Sequence, residues 1–157
     1  MRIVIASDHA GFHLKEKIFR SLVDEGIRMS DLGTHNTDPV DYPDIARNVA
    51  EALAAESADR GILICGSGVG VNVVANKIPG IRAGLCHDTY SARQSVEHDD
   101  INVLVLGARV IGPELALELV RTFLAARFSG EERHVRRLGK LKEIEALYCG
   151  KKSGSES

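Results

Sequence analysis

Cys65 ends the apolar run "GILIC" and is followed at once by Gly66, Ser67, Gly68, Val69 and Gly70, after which apolar residues resume at helical spacing. A thiol in front of a small-residue turn is equipped for chemistry. The turn's amides can point at an anion, and a helix N-terminus beside the sulfur favours thiolate, the form that acts as general base or nucleophile. The same residues also admit a purely structural reading. A cysteine that ends an apolar strand is often inert core, and glycines after it permit close helix packing.

Four known chemistries place residues at fixed spacings that can be checked against this loop. A dinucleotide site needs GxGxxG after the first strand and an acid about 20 residues later. Here the pattern is GxGxG after the third strand, and the turn after the first strand holds only Gly11. A P-loop needs GxxxxGK followed by Ser or Thr, yet Lys77 lies seven residues beyond Gly70. A phosphotyrosine-phosphatase-like loop needs Arg where Val71 stands, and a receiver domain needs Asp where Cys65 stands. These spacings exclude a nucleotide cradle, and leave two readings of the glycines: support for a reactive Cys65, or room for close helix packing.

The elements that must position Cys65 follow from periodicity. "RIVIAS" (2–7) predicts a strand, and residues 11–25 a helix with Leu14, Ile18 and Leu22 on one face, stopped by Gly26. "IRMSDLG" (27–33) is a strand of mixed polarity suited to a sheet edge, and a turn-rich loop (34–44) leads through Pro43 into a helix with Ile45, Val49 and Leu53. "GILIC" (61–65) reads as a strand buried on both faces, with a helix after the glycines. "IRAGLC" (81–86), a helix from Tyr90 to about Glu97, "INVLVLG" (101–107) and a helix after Pro113 complete five strand–helix units. A charged segment, 131–148, carries Leu138, Leu141, Ile144 and Leu147 at helical spacing.

Such alternation predicts an α/β fold, a single-domain, doubly wound, five-stranded parallel sheet, Rossmann-like, in the order 2-1-3-4-5. Ligands then bind on the rim formed by the strands' C-terminal ends. That rim collects "SDHAG" (7–11), "GTHNTDPVDYP" (33–43), "CGSGVG" (65–70), "CHDTY" (86–90) and "GARVIG" (107–112). The expected domain is 1–148, with 149–157 a flexible tail. The chain's 157 residues suit one core, and a net charge of −2 with 4% aromatic content argues against nucleic acid and anionic membranes as partners. Three cysteines without a CxxC pair, after an N-terminus unlike a signal, suggest reduced cytoplasmic thiols, and no apolar run reaches the roughly 20 residues of a membrane span. Arg133, His134, Arg136, Arg137, Lys140 and Lys142 form one local basic cluster.

The stretches "CGSGVGVNVVANKIPGIRA" (65–83), "SDHAGFHLK" (7–15), "DYPD" (41–44), "HDDINVLVLGARVIG" (98–112) and "RHVRR" (133–137) occur in an order that resembles ribose-5-phosphate isomerase type B, a family that includes galactose-6-phosphate isomerase subunits. The resemblance spans about residues 1–147. It implies aldose–ketose isomerisation of a phosphosugar, chiefly D-ribose 5-phosphate, without metal or organic cofactor, in a homodimer or tetramer whose sites lie at the subunit interface. Cys65 matches the base that removes a proton beside the carbonyl, and His98 the acid/base that opens the sugar ring. Ser67, with the 66–70 amides (Gly66, Gly68, Val69, Gly70), matches the group that stabilises the enediolate, a role worth roughly 3 kcal/mol per donor. Asp8, His9 and Tyr42 match residues that hold the sugar. Arg109, Arg133 and Arg137 match the phosphate arginines, where bidentate geometry favours Arg over Lys.

Read alone, Asp8 is a helix N-cap, Tyr42 a surface turn residue and His98 a helix C-terminal cap. Arg133 and Arg137, four apart, share a helix face, while His134 and Arg136 point elsewhere as solvated charge. The chain departs from the family pattern at Asp99, where Asn is usual; an ionised carboxylate cannot donate to a substrate oxygen as an amide does. Ser67 stands for a commoner Thr, and "GEER" precedes the arginines where two glycines are usual. The C-terminal helix is expected to serve dimerisation as well as phosphate capture.

Overall fold

A computed structural model describes residues 1–149, so of the expected tail 150–157 lies outside the described residues. Three strands are buried throughout or nearly so: β1 (Ile3–Ser7), β3 (Arg60–Cys65) and β5 (Val103–Gly107). They sit side by side, and the three-residue strands β2 (Met29–Asp31) and β4 (Ala83–Leu85) close the two edges. Every pairing is parallel, as expected.

The order is β2-β1-β3-β5-β4, which corrects the expected 2-1-3-4-5 by exchanging the last two strands. Burial explains the exchange. "VLVLG" has no polar face to offer water and needs a neighbour on each side, whereas β4 is short and Leu85 is 37% exposed. The mixed-polarity β2 lies at an edge, as its sequence suggests.

Alternate side chains of the central strands feed two cores. On one face, Ile3, Ile5, Ile62 and Ile64 pack against α1 (Phe12–Asp24), α4 (Thr89–Asp99) and α5 (Pro113–Ala125). On the other, Val4, Ala6 and Leu63 meet α2 (Tyr42–Ala54) and α3 (Val69–Ala75). The chain leaves β1 for the β2 edge and leaves β3 for the β4 edge, so the connections diverge between the C-terminal ends of β1 and β3. That divergence opens a crevice. Among the described residues no helix is long and apolar enough to cross a membrane.

Helix α6 (Glu132–Cys149) buries only His134 and Leu138. This corrects the reading of His134 as solvated charge. It is 2% exposed, its ring stacks on His98 with centroids 4.0 Å apart and planes 25° apart, and its Nδ1 lies 2.6 Å from Ser129 Oγ. His134 and Leu138 are four apart and face the body, which leaves Arg133, Arg136 and Arg137 exposed.

Burial, followed by the neighbouring His98 and Arg133, pushes the His134 pKa below 6.5, with Glu131 opposing. The folded state thus prefers the neutral ring. Above about pH 6.5 the ring is neutral folded or unfolded and contributes nothing; below it the unfolded chain binds the proton more readily, so stability falls. Thermal unfolding across that range should show Tm falling as pH drops below about 6.5, with a shallower slope in His134→Phe, which keeps a stacked ring and removes the titration.

Candidate active site

The crevice between β1 and β3 is a cleft of ≈ 350 Å³ lined by Asp8, His9, Cys65, Gly66, Ser67 and Arg109 together with two apolar neighbours. Backbone pairing continues beyond the strands to build it. Ala108 N–H donates to Cys65 O at 2.9 Å and Arg109 N–H to Gly66 O at 2.9 Å, which ties the loop after β5 to the loop after β3. The Arg109 guanidinium consequently lies against Gly66, 3.4 Å from where a Cβ would stand. It makes no ion pair among the described residues.

Cys65 Sγ is 3.1 Å from Gly68 N, whose N–H donates to the sulfur. Gly68 has φ +83° and is closely packed, since a Cβ there would lie 2.5 Å from Leu85 Cδ1; only glycine makes this turn. Ser67 Oγ accepts from Val69 N–H at 3.2 Å, and the hydroxyl hydrogen remains for another acceptor. Two of the loop's amides, those of Gly68 and Val69, are thus engaged within the loop.

Asp8 does cap the turn His9–Gly11, its Oδ1 accepting from Gly11 N–H at 3.1 Å, and it also lines the cleft. His9 Nδ1 accepts from Val40 N–H at 3.2 Å. A backbone N–H only donates, so the neutral His9 ring carries its proton on Nε2 and presents a donor. Tyr42 opens α2, and its ring lies 2.8 Å from where a Gly70 Cβ would stand, which places it over the glycine loop.

The remaining sequence candidates are not with these. His98 and Asp99 end α4, which runs back against the strand direction to the other rim. There Arg82, just before β4, pairs with Asp100 at 2.8 Å, and Gly61 N–H donates to Asn102 O at 2.9 Å. The length of a central strand, about 13–16 Å at ~3.3 Å per residue, separates this rim from Cys65. Arg133 and Arg137 lie on α6 beside His134, and Arg133 pairs with Glu131 at 3.0 Å. Asp99 is exposed and borders an apolar groove under Leu141 and Ile144. One chain brings together Asp8, His9, Tyr42, the 65–70 loop and Arg109, and holds His98, Asp99, Arg133 and Arg137 apart from them.

Three residues at these rims escape a sequence reading. Gln94 Nε2 lies 2.8 Å from His98 Nδ1, and its signal is the spacing of four on one helix. His134 shares that spacing with Leu138. His87 Nε2 accepts from Gly107 N–H at 3.0 Å, ending the β4–β5 ladder with a side chain, and nothing local in sequence marks it. Of the other cysteines, Cys86 is buried and burial raises its pKa, which makes it a poor nucleophile. Among the described residues no group of His, Cys, Asp and Glu is arranged to hold a metal ion.

The Ribose/Galactose Isomerase family model matches residues 3–141. Ribose-5-phosphate isomerase B of Escherichia coli (strain K12) is 45% identical over 144 residues, 92% of this chain and 96% of that protein. D-erythrulose-4-phosphate isomerase of Pectobacterium atrosepticum is 44% identical over 132 residues, 83% of this chain and 86% of that one. The structure of Clostridium thermocellum ribose-5-phosphate isomerase B superposes with a TM-score of 0.91 at 51% identity, covering 94% of this chain and 99% of that chain. The matched span takes in the cleft, the opposite rim and the start of α6, and on this basis the chain belongs to the ribose/galactose isomerase family.

Proposed function

We propose that this protein interconverts D-ribose 5-phosphate and D-ribulose 5-phosphate through an enediolate, in sites that two copies of the chain build together. The observation that carries this reading is the division of the candidate residues between two rims. Cys65 has Asp8, His9, Ser67 and Arg109 around it in one cleft, and the family's ring opener and remaining phosphate arginines lie a strand length away on the same chain. A second copy supplies them. Apolar surface for such contact is present at both rims, with Val69 and Val73 54% and 52% exposed on α3 and Ile144 61% exposed on α6.

The steps follow from the groups present. The partner subunit's His98 opens the furanose, Cys65 takes the proton from C2 of the open aldose, and the same proton is delivered to C1 to give the ketose. Ser67 donates its free hydroxyl hydrogen to the oxygen that gains charge in the enediolate. His9 gives the substrate a hydrogen bond through Nε2–H, and Arg109 with the partner subunit's Arg133 and Arg137 holds the phosphate. Cys65 and His98 together argue against a silent binding subunit, which needs neither a base nor a ring opener.

Asp99, in place of the usual Asn, favours a second reading of the substrate: the same proton transfer on a four-carbon or six-carbon sugar phosphate. A four-carbon activity is named for the Pectobacterium relative. Ranking kcat/KM over four-, five- and six-carbon phosphosugars separates the two readings.

Purified protein should convert D-ribose 5-phosphate to D-ribulose 5-phosphate in the presence of chelator, and Cys65→Ala should lower kcat by about 10²–10⁴-fold. Full activity in that variant would sink the mechanism. The shared site has its own test. Cys65→Ala and the double variant Arg133→Ala/Arg137→Ala should each be nearly inactive, and mixing them should restore activity, because a mixed dimer holds one intact site of its two. A mixture that forms heterodimers yet stays inactive would mean that each chain works alone.

A further inference from the structure

His98 is held by more contacts than a helix-end histidine needs. Its Nδ1 faces Gln94 Nε2 at 2.8 Å, one helical turn earlier on α4. One face of its ring is covered by His134, whose own Nδ1 is 2.6 Å from Ser129 Oγ. Ser129 is itself fixed, since its Oγ accepts from Glu131 N–H at 3.2 Å and its N–H donates to Glu97 O at 2.9 Å. The charged groups near the pair are Arg133, Arg137 and Glu131 from α6 and the loop before it, and Asp99 from α4. With Nδ1 engaged, Nε2 is the nitrogen left to exchange protons with a ligand. An amide offers both a donor and an acceptor, so Gln94 serves Nδ1 whichever protonation state the ring adopts.

The turn of α6 that supplies the stacked ring also carries Arg133 one residue before it and Arg137 three residues after it. A phosphate grip and a proton-exchanging nitrogen are thereby set at a fixed spacing. In a furanose of ribose 5-phosphate the ring oxygen O4 sits on the carbon next to the phosphorylated C5, so the substrate presents the same two features close together.

We propose that Gln94 and His134 are positioning residues for ring opening: they fix the orientation of His98 so that Nε2 meets the ring oxygen, and the later proton transfer at Cys65 does not depend on them. This rests on the isomerase reading given above. The step balances. The C1–O4 bond breaks, Nε2 gives a proton to O4, the hydroxyl on C1 loses its proton to the vacated Nε2, and the aldehyde forms with no net change on the enzyme.

The two directions of the reaction separate this step from enolisation. D-Ribulose 5-phosphate cannot close a five-membered ring, because its C5 oxygen is phosphorylated, so it enters the site open. D-Ribose 5-phosphate arrives as a ring. With wild-type protein the initial rate should rise in proportion to enzyme in both directions. With Gln94→Leu or His134→Ala, consumption of ribulose 5-phosphate should stay proportional to enzyme. The rate from ribose 5-phosphate should level off at that of spontaneous ring opening, at least tenfold below wild type at high enzyme. His134→Phe, which retains a stacked ring, should recover most of the loss. Rates that fall together in both directions while remaining proportional to enzyme, or variants indistinguishable from wild type, would overturn the proposal. Wild-type protein inactive in both directions would instead overturn the isomerase reading itself.

Discussion

Residues Cys65 and Gly107 are paired at the ends of the two central strands, and the chain keeps that register for two more hydrogen bonds after the sheet has ended. Neither strand has a polar face, so a slip of one residue would turn a buried set of side chains to the opposite core. The register therefore also sets where the sulfur of Cys65 and the guanidinium of Arg109 stand relative to each other. Loop positions that look free in sequence are dictated by the burial of Ile62–Ile64 and Leu104–Leu106.

A parallel sheet imposes a second condition. Each helix returns the chain to the opposite rim, so residues at a helix's end are removed from residues at the preceding strand's end by the depth of the sheet. His98 and Asp99 are placed by that geometry alone. Helix α6 then adds its arginines on the same side, docked by a histidine whose affinity for a proton burial lowers. The separation of His98, Asp99 and the α6 arginines from the Cys65 cleft is thus a product of topology.

Strand–helix alternation, the partially polar β2 and the helix faces are legible in the sequence because each rests on local periodicity. The order of β4 and β5 is not, although "VLVLG" set against "AGL" holds the information: the more apolar run belongs inside. At the cleft, Cys65, Ser67 and Arg109 are recoverable from position relative to strand ends. Asp8 is legible both as a cap and as a cleft residue, and the structure has it as both. The stacking of His134 on His98 joins residues 36 apart through two helices, and the Gly107–His87 bond joins a loop to a strand end. No spacing rule carries either one, since both depend on where separately folded elements come to rest.

The placement of β5 between β3 and β4 bears on how the chain reaches this state during synthesis. Residues 1–99 contain β1, β2, β3 and β4, but within them β3 has a partner on one side only, and β4 has none. Until Val103–Gly107 emerges, Gly61–Cys65 presents an apolar edge with unpaired N–H and C=O groups, the kind of surface that recruits strands from other chains. A nascent chain halted before residue 103 is thus exposed to aggregation, and the five residues of β5 close that edge before α5 completes the core.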